Sequence, residues 1–276
     1  MNRHLLQPIT EDHVRDYARD GAVCIRRLLD DEWVARMRAA ANRVIADPAA
    51  HGKLSVSQGE TMTSVCYMWR QDRDFRDLLF ESPAAEAVGR VIGSREIRIY
   101  HDHLFHKRPK SPKVMQWHMD ATAWPVSGYM APNIWIALTD VYAENGRIEF
   151  VAGYHRHCID NKIEHGFKAD QASGLCPDFE RERSNPNFRF ITWDLKAGDA
   201  VLFHPLTPHF SKGNESADAE RIGLALRLLG DDVRWNPLSY KANIPGVPNL
   251  TPGEAPEGEF FPVLWRAPAN EGRLAS

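Results

Sequence analysis

Apolar residues recur along the chain with two different periods, and the change of period divides it. Over 30–46, Trp33, Val34, Met37, Ala40, Ala41 and Val44 return every three or four positions, which puts them on one side of a helix. An earlier helix opens at Thr10-Glu11-Asp12-His13-Val14, a capped start. Phe75, Leu78, Leu79, Ala85, Val88 and Val91 predict one further helix over 75–92, closed by Gly93. From Ile97 the texture becomes that of strands: 97–107, 133–141, 147–152, 188–193, 200–204 and 221–229 are short, rich in Val, Ile, Phe, Trp or Thr, and separated by Gly, Pro and Asn. Segments of that length and spacing predict a sandwich or barrel. Glu144-Asn145-Gly146 reads as a hairpin turn between two of them, and Lys196-Ala197-Gly198-Asp199 as the turn before another.

Beyond Asp231 the pattern is broken by Pro237, Pro245, Pro248, Pro252, Pro256 and Pro262. This tail is expected to lack regular elements and to wrap the body or the mouth of a site, with Phe260, Phe261 and Trp265 as anchors. The expected organisation is therefore one domain over residues 1–276, with a mainly helical part (1–95), a strand-built core (96–230) and a proline-rich tail (231–276).

Composition narrows the function more than the fold. A chain of 276 residues with 43% apolar content can bury a substantial core. Lys+Arg 34 against Asp+Glu 37 leaves a net charge of −3, which gives neither nucleic acid nor an anionic membrane an electrostatic footprint and favours a small-molecule substrate. No apolar run is long enough to span a bilayer and the first residues lack a signal-peptide core, so a cytoplasmic location is expected. Cys24, Cys66, Cys158 and Cys176 form no Cys-x-x-Cys pair and suggest neither a zinc site nor a disulfide framework. No feature assigns an oligomeric state.

The candidate chemistry lies in Gln116-Trp117-His118-Met119-Asp120, in Phe203-His204-Pro205-Leu206-Thr207-Pro208-His209, and in Arg221. In an extended segment residues i and i+2 point to the same side, so His118 and Asp120 can converge on one metal, with His209 as the distal imidazole. Two histidines and a carboxylate cover one face of an octahedral ferrous ion and leave positions for a chelating keto acid and for oxygen. Arg221 would hold the far carboxylate of that acid bidentately. A lone His-x-Asp is more often structural. The ordered series, with a Gly-Asp turn, an apolar strand ending in His204, then His209, Ser211, Asn214 and Arg221, is what makes the reading specific.

Rival residues have blander readings. His101 and His103 share a strand face with Phe105 and Lys107, with no third ligand arranged around them. Lys107, Arg108, Lys110 and Lys113 read as a solvated loop from which only Lys107 reaches inside, and Tyr67, Trp69 and Trp124 are pocket walls or core. Arg227 shares the strand face of Arg221 but lies roughly 20 Å further along it, so only one of the two is expected to reach the cosubstrate. Arg221 is favoured, with the small Gly223 and Ala225 leaving room for a dicarboxylate.

Taken in order, Asp20-Gly21-Ala22-Val23, Leu104-Phe105-His106-Lys107-Arg108-Pro109, Trp117-His118-Met119-Asp120, Ile134-Trp135-Ile136-Ala137-Leu138-Thr139-Asp140, Glu144-Asn145-Gly146-Arg147, Gly153-Tyr154-His155-Arg156 and Gly198-Asp199-Ala200-Val201-Leu202-Phe203-His204 resemble the phytanoyl-CoA dioxygenase family. That resemblance covers most of the chain. It implies a mostly β fold, a double-stranded β-helix (jelly roll, cupin-like) with flanking helices. It also implies an Fe(II)- and 2-oxoglutarate-dependent dioxygenase that uses O2 to hydroxylate a C–H bond of a small organic metabolite, releasing succinate and CO2.

By the same resemblance His118, Asp120 and His209 would bind iron, and Arg221 with Ser211 would hold the distal carboxylate of 2-oxoglutarate. Trp135 and Lys107 would line the cosubstrate pocket, and His103 stands where a glutamine or methionine commonly contacts it. His204, His155 and His157 would be structural, the last two on a loop after Gly153. Asp120 argues against an iron halogenase, which needs a small residue there. Two other classes remain to be separated, a non-catalytic jelly-roll binding protein and a zinc hydrolase on the same triad. Neither consumes 2-oxoglutarate.

Overall fold

The computed structural model describes residues 1–51, 56–57, 61–162, 177–237 and 250–269; Cys176, Pro245 and Pro248 lie outside them. Thr10 and His13 close a capping box on α1 (Glu11–Asp20), and Gly21, at φ 74, ends it and turns the chain into β1 (Ala22–Ile25). The Asp30 carboxylate accepts the Trp33 amide at 2.9 Å and starts α2 (Asp31–Ala46). Next come β2 (Val56–Ser57), β3 (Met62–Cys66), α3 (Arg73–Glu81) and α4 (Ala84–Ile92). The single helix expected over 75–92 is thus two. Pro83 forces Ser82 into an extended conformation (φ −87, ψ 163) and has no amide to continue the ladder.

The strand-rich part begins with β4 (Glu96–Lys107), β5 (Met115–His118), β6 (Val126–Ser127), β7 (Asn133–Ala137) and β8 (Ile148–Ala152). The short helix α5 (Tyr154–Asp160) carries His155 and His157, which were expected on a loop. After it follow β9 (Arg189–Thr192), β10 (Ala200–Phe203), β11 (His209–Ser211), β12 (Arg221–Leu229), β13 (Arg234–Trp235) and β14 (Val263–Arg266).

Two antiparallel sheets face each other as a jelly roll. The larger runs β1-β10-β7-β12-β4-β3-β2, with β14 also on β4, and the smaller runs β5-β11-β8-β9; β13 and β6 pair separately. The stretch read as mainly helical therefore also supplies β1, β2 and β3 to the main sheet. The turn at Glu144-Asn145-Gly146 is not a hairpin, because β7 and β8 belong to different sheets. Asn145 instead closes the crossing loop, accepting the Tyr142 amide and donating to the Asp140 carbonyl, both at 2.8 Å.

Alternation on β12 separates the two sides of the main sheet. Ile222, Leu224, Leu226 and Leu228 pack with Trp33, Met37, Phe75, Leu78 and Val88 of the helices. Burying each such side chain fully contributes about 1.5–3 kcal/mol. Arg221, Gly223, Ala225 and Arg227 point the other way, toward the smaller sheet. Where β12 passes β4 the register slips by one residue at Tyr100, so His101, His103, Phe105 and Lys107 share that second side although Ile97 and Ile99 do not.

The tail is more regular than expected. Its β14 pairs with the N-terminal half of β4, and Trp265 packs on α4 at Gly89, where a Cβ would lie 2.1 Å from the indole. Phe261, 1% exposed, joins Tyr100, Trp124 and Trp235 in a separate aromatic cluster. Among the described residues, the tail contributes nothing to the lining of the cavity between the sheets. No helix among them is long and apolar enough to cross a membrane.

Candidate active site

The register of β5 on β11 sets His118 directly opposite His209, so both rings leave the sheet on one side, with centroids 4.1 Å apart. Met119 is extended (φ −118, ψ 130), which turns Asp120 to the same side. His118 Nε2 lies 3.6 Å from Asp120 Oδ1 and His209 Nε2 lies 3.9 Å from Oδ2. All three ligand atoms fall within 4.8 Å of one another, a spacing that one divalent ion can bridge.

The ring orientations also suit a metal. His118 Nδ1 donates to the Gln116 carbonyl at 2.6 Å and His209 Nδ1 to the Thr207 carbonyl at 3.1 Å. Carbonyls only accept, so Nδ1 carries a proton in each ring and Nε2 is the nitrogen left to bind an ion beside Asp120. Burial, then the neighbouring His118, push His209 down to about 4. Burial alone would raise Asp120, but Arg227, His209 and His118 outweigh it and hold the carboxyl at about 2. A carboxylate and a neutral imidazole at His209 need no deprotonation before binding an ion. Asn133, fully buried on β7, donates Nδ2 to Asp120 Oδ2 at 2.6 Å and fixes the carboxylate plane.

Beside the triad lies a cavity between the sheets, lined by Phe105, Trp135, Phe203, Phe210, Ser211 and Arg221 among others. Its far end is strongly cationic. Arg221, 2% exposed, donates to the Gly146 carbonyl and, at 2.8 Å, to Ser211 Oγ. Lys107, fully buried, donates to Ser211 Oγ at 2.9 Å and to the Ser211 carbonyl at 3.2 Å. The hydroxyl itself donates a hydrogen bond to the Gly146 carbonyl at 2.7 Å. Among the described residues, no carboxylate pairs with either basic group, and Arg221 Nε is buried without a partner. Burial, then Arg221, push Lys107 down to about 6, and burial lowers Arg221 to about 10. Uncompensated buried cations around a cavity fit an anionic ligand.

The guanidinium of Arg221 lies 5.2 Å over the Trp135 ring. Gly223 was expected to leave room for the dicarboxylate. Trp135 fills that room instead, since a Cβ at Gly223 would fall 1.7 Å from the indole. Arg221, Ser211 and Trp135 thus line the cavity, and Lys107 backs it. His103 is not in the lining: it stacks on Phe105 at 3.8 Å, with its nitrogens on Ser64 and Arg227. The expectation that Arg227 would be out of reach is also corrected, because both arginines line the cavity, Arg227 at the metal end with Nη2 3.7 Å from Asp120 Oδ1.

Cys66 supplies the third member that His101 and His103 were expected to lack. The group nevertheless suits a metal poorly. Both His103 nitrogens are engaged, and burial raises the Cys66 thiol to about 12. Neither His204, whose Nδ1 accepts the Leu206 amide at 3.1 Å, nor His155, on the Ala18 carbonyl at 3.2 Å, lines the cavity. Trp69 belongs to the helix-side core, while Tyr67 and Trp124 belong to the aromatic cluster of Phe261. Sequence reasoning missed Asn133 and Gly146. Asn133 shares the parity of Trp135 on one strand, which was the available signal.

The family model described as phytanoyl-CoA dioxygenase (PhyH) matches residues 17–223. The chain belongs to the phytanoyl-CoA dioxygenase family. Ectoine dioxygenase of Bordetella parapertussis is 26% identical over 220 residues, 75% of this chain and 71% of that protein. The non-heme alpha-ketoglutarate-dependent carbocyclase SnoK from nogalamycin biosynthesis superposes with a TM-score of 0.78 at 26% identity, covering 96% of this chain and 100% of SnoK. The epimerase SnoN of the same biosynthesis follows with 0.72 and 26%, covering 92% and 98%. This member of the phytanoyl-CoA dioxygenase family is an Fe(II)- and 2-oxoglutarate-dependent dioxygenase that uses O2.

Proposed function

We propose that His118, Asp120 and His209 hold the iron, that Arg221 with Lys107 and Ser211 holds the distal carboxylate of 2-oxoglutarate, and that a small organic molecule is hydroxylated beside them. The observation that carries this reading is the pairing of ends. One end of a single cavity presents two imidazoles and a carboxylate, and the other presents a buried guanidinium and a buried amine without a carboxylate partner among the described residues. A binding module or a zinc hydrolase has no use for the second end.

Bound iron would supply oxygen activation coupled to decarboxylation of the keto acid, so that substrate C–H, 2-oxoglutarate and O2 become C–OH, succinate and CO2. The chain's own residues do the rest. Gln116 and Thr207 carbonyls keep the imidazole protons away from the metal side, and Asn133 orients Asp120. Trp135, flat against Gly223, is a rigid wall under the Arg221 guanidinium. Phe105, Phe203 and Phe210 exclude water from the cavity.

The test is a metabolite panel scored by substrate-stimulated succinate release under Fe(II) and ascorbate, with Zn(II) as the silent control. Product mass separates hydroxylation, which adds one oxygen, from a ring closure or an epimerisation of the kind named for SnoK and SnoN. His209→Ala should abolish iron binding and His204→Ala should retain it. Metal held equally well by the His209→Ala protein would reject the triad.

A further inference from the structure

We infer that Arg227 is the recognition site for a carboxylate on the primary substrate, and that this substrate is a small monocarboxylic acid with an apolar body. This rests on the reading of the site given above and extends it to the class of molecule oxidised.

Arg227 lines the cavity yet is only 8% exposed. Its Nη1 lies 3.0 Å from His103 Nδ1, its Nη2 is 3.7 Å from Asp120 Oδ1, beyond hydrogen-bond range, and Trp124 faces the guanidinium at 5.9 Å. Nε is buried with no partner among the described residues. A guanidinium cannot accept, so His103 Nδ1 must, and His103 Nε2 then donates to Ser64 Oγ at 2.5 Å. His103 therefore spends both nitrogens orienting Arg227, and among the described residues two of the guanidinium's three nitrogens, Nε and Nη2, have no hydrogen-bonded acceptor.

Charge counting says what the fork lacks. Asp120 and a doubly ionised keto dicarboxylate bring three negative charges to the loaded cavity. Ferrous iron brings two positive charges, and Arg221 and Arg227 one each. One positive charge is left over in a buried space even with Lys107 neutral. A single carboxylate cancels it and matches the planar fork bidentately. A neutral or cationic molecule would leave the charge uncompensated. The remaining wall, with Phe105, Met115, Ile148, Phe203 and Phe210, suits an apolar body.

The experiment is an anaerobic titration of the Fe(II)-loaded protein, following the visible charge-transfer absorption that appears when a keto acid chelates ferrous iron. After saturation with 2-oxoglutarate, benzoate, cyclohexanecarboxylate and octanoate are added, each beside its carboxamide. The expected result is that at least one carboxylate perturbs the band with a midpoint tenfold or more below that of its amide. Arg227→Gln should erase this preference while moving the 2-oxoglutarate midpoint by less than about threefold. Arg227→Lys, which keeps the charge but not the fork, should lower the preference at least threefold and decides the matter if the Gln variant does not fold. The inference is overturned if no carboxylate perturbs the band, if acids and amides act alike, or if Arg227→Lys leaves the preference intact. It is also overturned if Arg227→Gln weakens 2-oxoglutarate more than the carboxylates, which would give the arginine to the cosubstrate. Failure of the band to appear with 2-oxoglutarate would instead reject the underlying iron site.

Discussion

Lys107 and Arg221 share one acceptor: Nζ and Nη1 donate to Ser211 Oγ from 2.9 and 2.8 Å. Burial and the neighbouring Arg221 make a second charge at Lys107 costly and bring it down to about 6, and the three short bonds around Ser211 only orient the two groups. A dicarboxylate entering the cavity supplies the missing counter-charge, so the arrangement is costly empty and favourable when filled.

Arg221→Ala should therefore raise the Michaelis constant for 2-oxoglutarate about a hundredfold, on the order of 3 kcal/mol for a buried charge-assisted pair. Arg227→Ala should raise it far less. Steady-state kinetics on the two variants checks the ranking, and the reverse order would move the anchor to Arg227.

Lys107 makes the same site pH-dependent. Its folded value of about 6 lies below the ordinary 10.5, so between these limits the unfolded chain binds more protons and stability of the metal-free protein should rise with pH. Cosubstrate binding within that window should take up a proton at Lys107. Denaturant melts across pH and calorimetry in buffers of different ionisation heat measure both effects. Lys107→Met profiles parallel to the wild type would contradict them.

Asn133→Ala removes the side-chain amide that holds Asp120 Oδ2. Loss of such a supporting bond typically costs about 10–100-fold in metal affinity, and equilibrium dialysis with Fe(II) should find a drop in that range. An unchanged dissociation constant would mean that Arg227 alone orients the carboxylate.

Gly223→Ala should overpack the wall, because the new methyl would overlap the Trp135 indole. A loss of about 1–3 kcal/mol is expected from thermal or urea unfolding, with weaker 2-oxoglutarate binding as Trp135 is pushed out from under Arg221. A variant as stable as the wild type would show that the indole has somewhere else to go.

Phe261→Ala empties a place in the cluster with Tyr100, Trp124 and Trp235 and should cost about 3–5 kcal/mol. Truncation after Leu229, which also removes β14 from the edge of β4, should cost at least as much. Urea midpoints near the wild-type value for both would mean that the tail is dispensable for folding.

The sequence alone determined the strands β4, β7, β8, β9, β10 and β12, the helix starts at Thr10 and Asp30, the side shared by His118 and Asp120, and the order of residues that ends in Arg221. These depend on alternation, caps and turn residues, which act over a few neighbouring positions, and on motifs whose spacing survives without coordinates. The break at Pro83, which the single helix expected over 75–92 ran through, was also a local signal, since proline acts on its own neighbours. Tertiary structure decided what depends on distant partners. It set β7 and β8 in different sheets, slipped the register at Tyr100, laid Trp135 across Gly223, and turned Gly146 and Asn133 toward the site. It also aimed Arg227 at Asp120 and set His103 behind it. Such choices follow from the packing and charge pairing of residues far apart in the chain, whose energies no local pattern carries.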